Sequence, residues 1–354
     1  MDAFIAIAQL VLAISALIIL HEIGHFAAAR LIKIEVEEFG LGFPPRAAKL
    51  FKWRGTEYSL NWLPLGGFVR IKGEGDPSIP DGLAAANPWK RIFVYAAGPA
   101  MNLLAAVVLY AILINQVGMA DPSKVLILDV EAGSPAALAG LQADDLILRA
   151  NQVEIDSTTA LRDQIYANLD QEMRLEVLRD DEELTFTIVP RSNPPAGQGA
   201  IGILMGNPTQ EIGWIEAIPY GAISTGNHIV MLATLPGEVI KGTIDPELAR
   251  PVGYKGMYDI YQDVQEIETG PGVPASTNII WFFTTITISL GVINLFPIPA
   301  LDGGRILFAL PEILIGRRIP IEWQNAVNMI SFTLLILLFI YINILDFTNP
   351  VQLP

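Results

Sequence analysis

The chain has 354 residues, of which 52% are hydrophobic and only 17% charged, against about 25% charged in an average globular protein. It is therefore neither a disordered chain nor an ordinary water-soluble domain, and part of it is built for a bilayer. It contains no cysteine and three histidines, which removes thiol nucleophiles, disulfides, iron–sulfur clusters and cysteine zinc sites and leaves any metal to His, Asp and Glu. A formal net charge of −15 opposes phosphate backbones and excludes nucleic acid as a partner.

A membrane-crossing helix needs about 20 mostly apolar residues to span ~30 Å of hydrocarbon. The first charge-poor run, Ala3 to Leu20, continues to Ala29 and is interrupted only by His21, Glu22 and His25. It lacks a basic leading segment and is too long for the apolar core of a secretory signal, so residues 1–30 are expected to stay as a first transmembrane helix. Residues 31–91 follow as a charged loop. The run Ile92 to Val117 gives a second span over 92–117.

Residues 118–191 then read as a folded α+β domain. VLILDVEAGSPAALAGLQADDLILRANQVEI gives a strand, a short helix after Ser134-Pro135, a turn at Asp144-Asp145 and a further strand. RLEVLRDDEELTFTIVP alternates apolar and polar residues about Asp180-Asp181, as a closing hairpin does. Residues 192–272 begin with a linker by composition, RSNPPAGQG. They also contain Ala217 to Gly237, charge-free but carrying Pro219, Pro236, Asn227 and His228, which is expected to be interfacial or re-entrant rather than spanning. The run Val273 to Leu301 places a third span over 273–304; a turn over 305–325, a fourth span over 326–346 around Ala326 to Leu345, and a tail over 347–354 complete the chain.

Ten of the 22 Lys and Arg residues lie between Arg30 and Arg91, and Arg305, Arg317 and Arg318 lie between the last two spans. Four spans put both segments on one side, which the positive-inside tendency makes cytoplasmic, with both termini outside. The acidity has a different address: Gly118 to Gly272 holds nine basic and 24 acidic residues.

His21, Glu22 and His25 form H-E-x-x-H. On a helix, residues i and i+4 share a face, so both imidazoles can ligate one metal while Glu22 lies beside the open coordination position. Polar groups inside a lipid-crossing helix are costly, about 2.5–3.5 kcal/mol for a central charge on insertion scales, and usually mark a functional site. The third ligand is predicted to be Asp302, the first charge after the third run, in NLFPIPALDGG. There Pro297 and Pro299 break the helix, and opened backbone at membrane depth is tolerated only where it is buried or lines a wet cavity. With four spans, the ends of the first and third helices that carry these residues face the same side. Two His and one carboxylate leave a fourth position for water, as in catalytic zinc sites, although the same donor set also suits iron. His228 is expected to be a loop or interfacial histidine and Arg305 an interface anchor. The stretch Gly66-Gly67-Phe68-Val69-Arg70 can either hold an unwound substrate by β-addition or simply stabilise the hairpin. Asn102 can serve either helix packing or the active site.

HEIGH in a first transmembrane helix, LPLGGFVRIKGE after it, GPAMN in the second, a SPAxxAGLxxxDxILxxN pattern between the second and third, and NLFPIPALDGG in the penultimate span together resemble the site-2 protease family of intramembrane zinc metalloproteases. The resemblance is to the bacterial branch with a PDZ domain after the second span. It implies a polytopic α-helical membrane protein with about four transmembrane helices, a membrane-associated β-hairpin or sheet after the first helix, and one inserted extracytoplasmic PDZ-like α+β domain. It implies zinc on His21, His25 and Asp302, water activation by Glu22, and substrate or active-site contacts from Asn102, Asn294 and the strand Gly66, Gly67, Phe68 and Val69. Substrates would be single-pass membrane proteins cut in or beside their transmembrane segments, as in regulated intramembrane proteolysis of anti-sigma factors or signal-peptide remnants. A peptide or substrate terminus would sit in the PDZ-like domain, and the protein would lie in the inner (plasma) membrane with its active site towards the cytoplasm. The sequence departs from the family at Asp144, where bacterial PDZ sequences usually have Gly, and it has room for one such domain rather than two. A membrane scaffold or chaperone whose PDZ-like domain holds partner termini without proteolysis is the alternative.

Overall fold

The computed structural model describes residues 3–195, 197–247, 249–267, 269 and 273–350. The end of the tail assigned to 347–354 and the boundary near Gly272 lie outside them. Among the described residues, four helices are long and apolar enough to cross a membrane. The chain forms two compact units, residues 1–116 with 214–354, and residues 117–213 between them.

The first unit opens with α1 (Ala3–Leu31). Two long bent strands follow, β1 (Val36–Trp53) and β2 (Thr56–Ile71), joined by a turn with positive φ at Arg54 and Gly55. Val36 to Leu41 pairs on one side with Gly67 to Ile71 and on the other with Glu57 to Leu60, while Arg46 to Trp53 pairs with Thr56 to Asn61. This hairpin is tied to the middle of α1. Ser15 Oγ donates to Pro64 O (2.7 Å) and accepts from Gly66 N (3.1 Å), so the one hydroxyl in an apolar helical stretch satisfies loop backbone that lipid could not. At the other end, Ile71 shares a core with Ala28, Ala29, Ile34 and Val36. Helix α2 (Pro88–Val117) starts with Pro at its first position, and Asn87 Oδ1 accepts from Trp89 N (2.9 Å) as its cap.

The second unit begins with β3 (Met119–Ala120), β4 (Val125–Val130), the short α3 (Pro135–Ala139), β5 (Leu146–Ala150) and β6 (Val153–Glu154). It continues through α4 (Thr158–Ala167), β7 (Met173–Arg179), β8 (Glu182–Ile188), β9 (Ile203–Gly206) and β10 (Thr209–Gln210). One sheet runs β8-β7-β5-β4-β9, with β6 on β5, and β3 pairs with β10. Ser134 and Ser157 cap α3 and α4 through their hydroxyls. Asp145 is fully buried and binds Arg179 through both carboxylate oxygens (2.6 and 2.7 Å) and Gln142 N (2.9 Å). Asp144 has φ +69°, the left-handed conformation that glycine adopts without cost. The unit is larger than the expected 118–191. The linker-like RSNPPAGQG runs into β9, which pairs with β4 and closes the sheet, so the compact unit extends to Gly213.

The rest of 192–272, expected as linker and interfacial segment, contains two helices. Helix α5 (Trp214–Lys241) is a single 28-residue helix with Pro219 and Pro236 inside it, and it is not among the span-grade helices. His228 is not a loop histidine: it is buried on α5, with Nδ1 2.8 Å from Tyr110 Oη. Helix α6 (Tyr254–Glu266) follows ARPVG, a segment to which the sequence assigned no chemistry. Its N-terminus is capped by side chains from the far end of the chain. The buried carboxylate of Asp346 accepts from Gly253 N (2.8 Å) and Gly256 N (3.0 Å), Asn343 Oδ1 accepts from Tyr254 N (3.1 Å), and Arg250 lies 3.5 Å from Asp346.

Helix α7 (Ser276–Leu295) is shorter than the expected 273–304, because Phe296 is extended ahead of Pro297. The expected turn over 305–325 is largely helical: α8 (Asp302–Ile315) begins at the LDG motif itself and ends at Gly316 in a left-handed cap, before α9 (Ile321–Thr348).

Candidate metal centre

Three side chains from two helices converge. His21 and His25, one turn apart on α1, bring their Nε2 atoms to 3.0 Å of each other. Asp302 Oδ2 lies 3.1 Å from His21 Nε2 and 3.2 Å from His25 Nε2. All three side chains are nearly buried.

Glycines make room for this meeting. A Cβ on Gly24 would lie 2.2 Å from Ala97 O, so α1 and α2 cross backbone to backbone. A Cβ on Gly98 would stand 2.3 Å from His25 Nε2 and 2.7 Å from His21 Nε2, inside the centre. Asp302 is delivered by the break between α7 and α8. Gly303 and Gly304 fold beneath the carbonyls of Leu295, Phe296 and Ile298, where a side chain would overlap them. Ala300 takes φ +79°, a rare conformation for a residue with a Cβ, and its N–H donates to Asn328 Oδ1 on α9 (3.1 Å).

The donor set fits a metal ion. His25 Nδ1 is 2.8 Å from Val94 O, an acceptor only, so Nδ1 carries the proton and Nε2 presents a lone pair to the centre. That lone pair faces a carboxylate oxygen and a second imidazole nitrogen. Such a cluster is mutually repulsive unless a cation or proton sits between its members. Among the described residues, His21, His25 and Asp302 can hold a metal ion with one ligand atom each, the three-donor set that leaves a coordination position open.

The other expected site residues are arranged around this cluster. Glu22 is adjacent in sequence, partly buried, and makes no hydrogen bond or ion pair with a described residue. Asn102 on α2 is buried with Nδ2 3.4 Å from His21 Nδ1. Gly66, Gly67, Phe68 and Val69 lie on the stretch of β2 that runs beside α1, with Gly66 against Ile18 and Gly67 near Ile19. Asn294 lies in the last turn of α7, half-buried and without a hydrogen bond to a described residue. Arg305, expected as an interface anchor, forms an ion pair with Glu74 and stacks over Tyr95 at 5.5 Å, joining the loop after β2 to the helix that carries Asp302. Sequence reasoning did not find Gly24, the Val94 carbonyl, Asn328 or this pair. Each acts through a packing distance or a backbone atom, which residue types alone do not reveal.

Residues 9–338 match the model of peptidase family M50. A Clostridium perfringens protein provisionally named a zinc metalloprotease is 34% identical over 96% of this chain and 98% of its own length. The zinc metalloprotease RasP of Bacillus licheniformis is 27% identical over 94% of this chain and 96% of its own. The metalloprotease MmpA of Caulobacter vibrioides is 27% identical over 91% and 90%. With the family match covering most of the chain and a buried two-histidine, one-carboxylate cluster between α1, a helix of membrane-spanning grade, and the start of α8, the chain belongs to peptidase family M50, the site-2 protease family of zinc metalloproteases.

Proposed function

We propose that this protein is an intramembrane endopeptidase that hydrolyses peptide bonds within or next to the transmembrane segments of single-pass membrane proteins. The observation that carries the reading is the convergence of Asp302, at the start of α8, on His21 and His25 of α1, a helix long and apolar enough to cross a bilayer, with the free carboxylate of Glu22 next to them. His21, His25 and Asp302 would hold zinc, which when bound acidifies water and polarises a carbonyl. Glu22 takes a proton from the attacking water at its carboxylate and hands it to the leaving amide nitrogen.

A helical peptide bond is shielded by its own hydrogen bonds, so the substrate must unwind before it reacts. The stretch Gly67 to Val69 is paired with Leu41, Gly40 and Phe39 on one side, and it supports capture of the unwound segment by strand addition. In the second unit, β9 lies at the edge of its sheet, with β4 as its only strand neighbour among the described residues. That edge supports a PDZ-like role in receiving a peptide or substrate terminus. The basic segments support a reading in which the active site lies towards the cytoplasmic face of the inner membrane. Regulated intramembrane proteolysis, of anti-sigma factors or signal-peptide remnants, is the setting that fits.

The test is cleavage of a model transmembrane substrate by the purified full-length protein and by Glu22→Gln. The variant should retain zinc and lose turnover by about 10²–10⁴-fold, the range for a general base. Cleavage by Glu22→Gln at the wild-type rate would sink the mechanism. Moving the scissile sequence out of the hydrophobic segment separates an intramembrane peptidase from one that cuts soluble polypeptides.

A further inference from the structure

A neutral imidazole carries one proton, so a nitrogen that ligates a metal requires the proton to sit on the other nitrogen, and the acceptor of that proton fixes the ring. For His25 the acceptor is the Val94 carbonyl at 2.8 Å. For His21 the polar neighbour of Nδ1 is the Asn102 amide, whose Nδ2 lies 3.4 Å away. Two further facts conflict with that orientation. With Nε2 of His21 directed at Asp302 and His25, Nδ1–H would oppose an NH₂ group, donor against donor. The Asn102 carbonyl oxygen, on a side chain that is 1% exposed, meanwhile has no hydrogen-bond partner among the described residues. A half-turn of the amide exchanges its oxygen and nitrogen at almost no change in shape, and it resolves both conflicts.

We propose that Asn102 is a positioning residue whose Oδ1 accepts a hydrogen bond from His21 Nδ1–H, locking the tautomer that leaves Nε2 free for the metal. This rests on the metal-site reading above. It assigns Asn102 a role distinct from helix packing, which its backbone already serves by accepting from Thr287 Oγ1 (3.2 Å).

Asparagine, aspartate and leucine at this position separate the roles, because Asp keeps the acceptor and lacks the donor while Leu keeps the approximate size and lacks both. Zinc affinity is measured by chelator competition on purified full-length Asn102→Asp, Asn102→Leu and His21→Ala. Nitrogen-15 spectra of histidine-labelled, zinc-loaded wild-type protein supply a readout that does not depend on any variant folding, and the chain contributes only three histidines to them. Asn102→Leu should bind zinc about 10–100-fold more weakly, Asn102→Asp should bind close to wild type, and His21 should show a protonated Nδ1 and a metal-bound Nε2. Wild-type affinity in Asn102→Leu, or His21 bound through Nδ1, overturns the proposal alone. Zinc binding indifferent to His21→Ala overturns the metal-site reading and the proposal with it.

Discussion

HEIGH was legible because a helix converts a spacing of four into a shared face, and Asp302 because it is the first charge after a long apolar run broken by two prolines. Gly98, in GPAMN, carries no side chain whose chemistry could announce a role in the site. Its position directly beneath both ligating nitrogens comes from how deeply α1 and α2 interlock. Placing a methyl group 2.3 Å from His25 Nε2 leaves the ligands no room to converge. Gly98→Ala should therefore weaken zinc binding by about 10–100-fold, as loss of ligand orientation does elsewhere, with the spans still inserted. Zinc content after dialysis, compared with that of Gly24→Ala, measures it. Retention of a full equivalent in Gly98→Ala would show that the cluster relaxes around the added group.

Between elements, the sequence conveyed the spans and the inserted domain better than the joints. Residues 305–325 read as a turn because they carry charge between two apolar runs, yet α8 begins at Asp302, where Gly303 and Gly304 pass beneath carbonyls, and continues through Pro311. The clasp at α6 was illegible because its partners lie about ninety positions apart in the chain. Asp346 is fully buried, and its removal leaves the Arg250 guanidinium without its counter-charge. Asp346→Ala should cost about 3–5 kcal/mol and Asp346→Asn less, since an amide oxygen can still accept from Gly253 and Gly256; thermal unfolding in detergent distinguishes them. A second joint links Arg91, Glu312 and Arg318. Burial alone would raise the Glu312 carboxyl, but hydrogen bonds from Arg318 and Arg91 outweigh it and hold the group below its ordinary value of 4.5. The unfolded chain therefore takes up this proton first as the pH falls. The stabilisation is complete above pH 4.5 and is lost as the pH drops through the lowered value. The gap in melting temperature between wild type and Glu312→Gln should close between neutral and acidic pH, and a constant gap would refute the assignment.

At the scale of the whole molecule, the net charge of −15 describes no single surface. It combines a basic excess over residues 30–91 with an acidic excess over residues 118–272. The second unit escaped full delimitation because β9 has four residues and follows a stretch with the composition of a linker, so the edge that completes the sheet carries almost no periodicity of its own. The Ser15 hydrogen bonds to Pro64 and Gly66 have a metric consequence. They fix one end of the Gly66–Ile71 stretch six residues before His21, about 9 Å along α1. At roughly 3.3 Å per extended residue, the strand draws level with the metal ligands near Val69. If substrate adds to this edge as proposed, it would be cut at a fixed count from where it is gripped, whatever its sequence. Mass-spectrometric mapping of products should show one dominant cleavage position in register with the gripped segment, and Ser15→Ala, which frees the zero of the scale, should spread it over neighbouring bonds. An equally sharp cut in Ser15→Ala would mean that the length is set elsewhere.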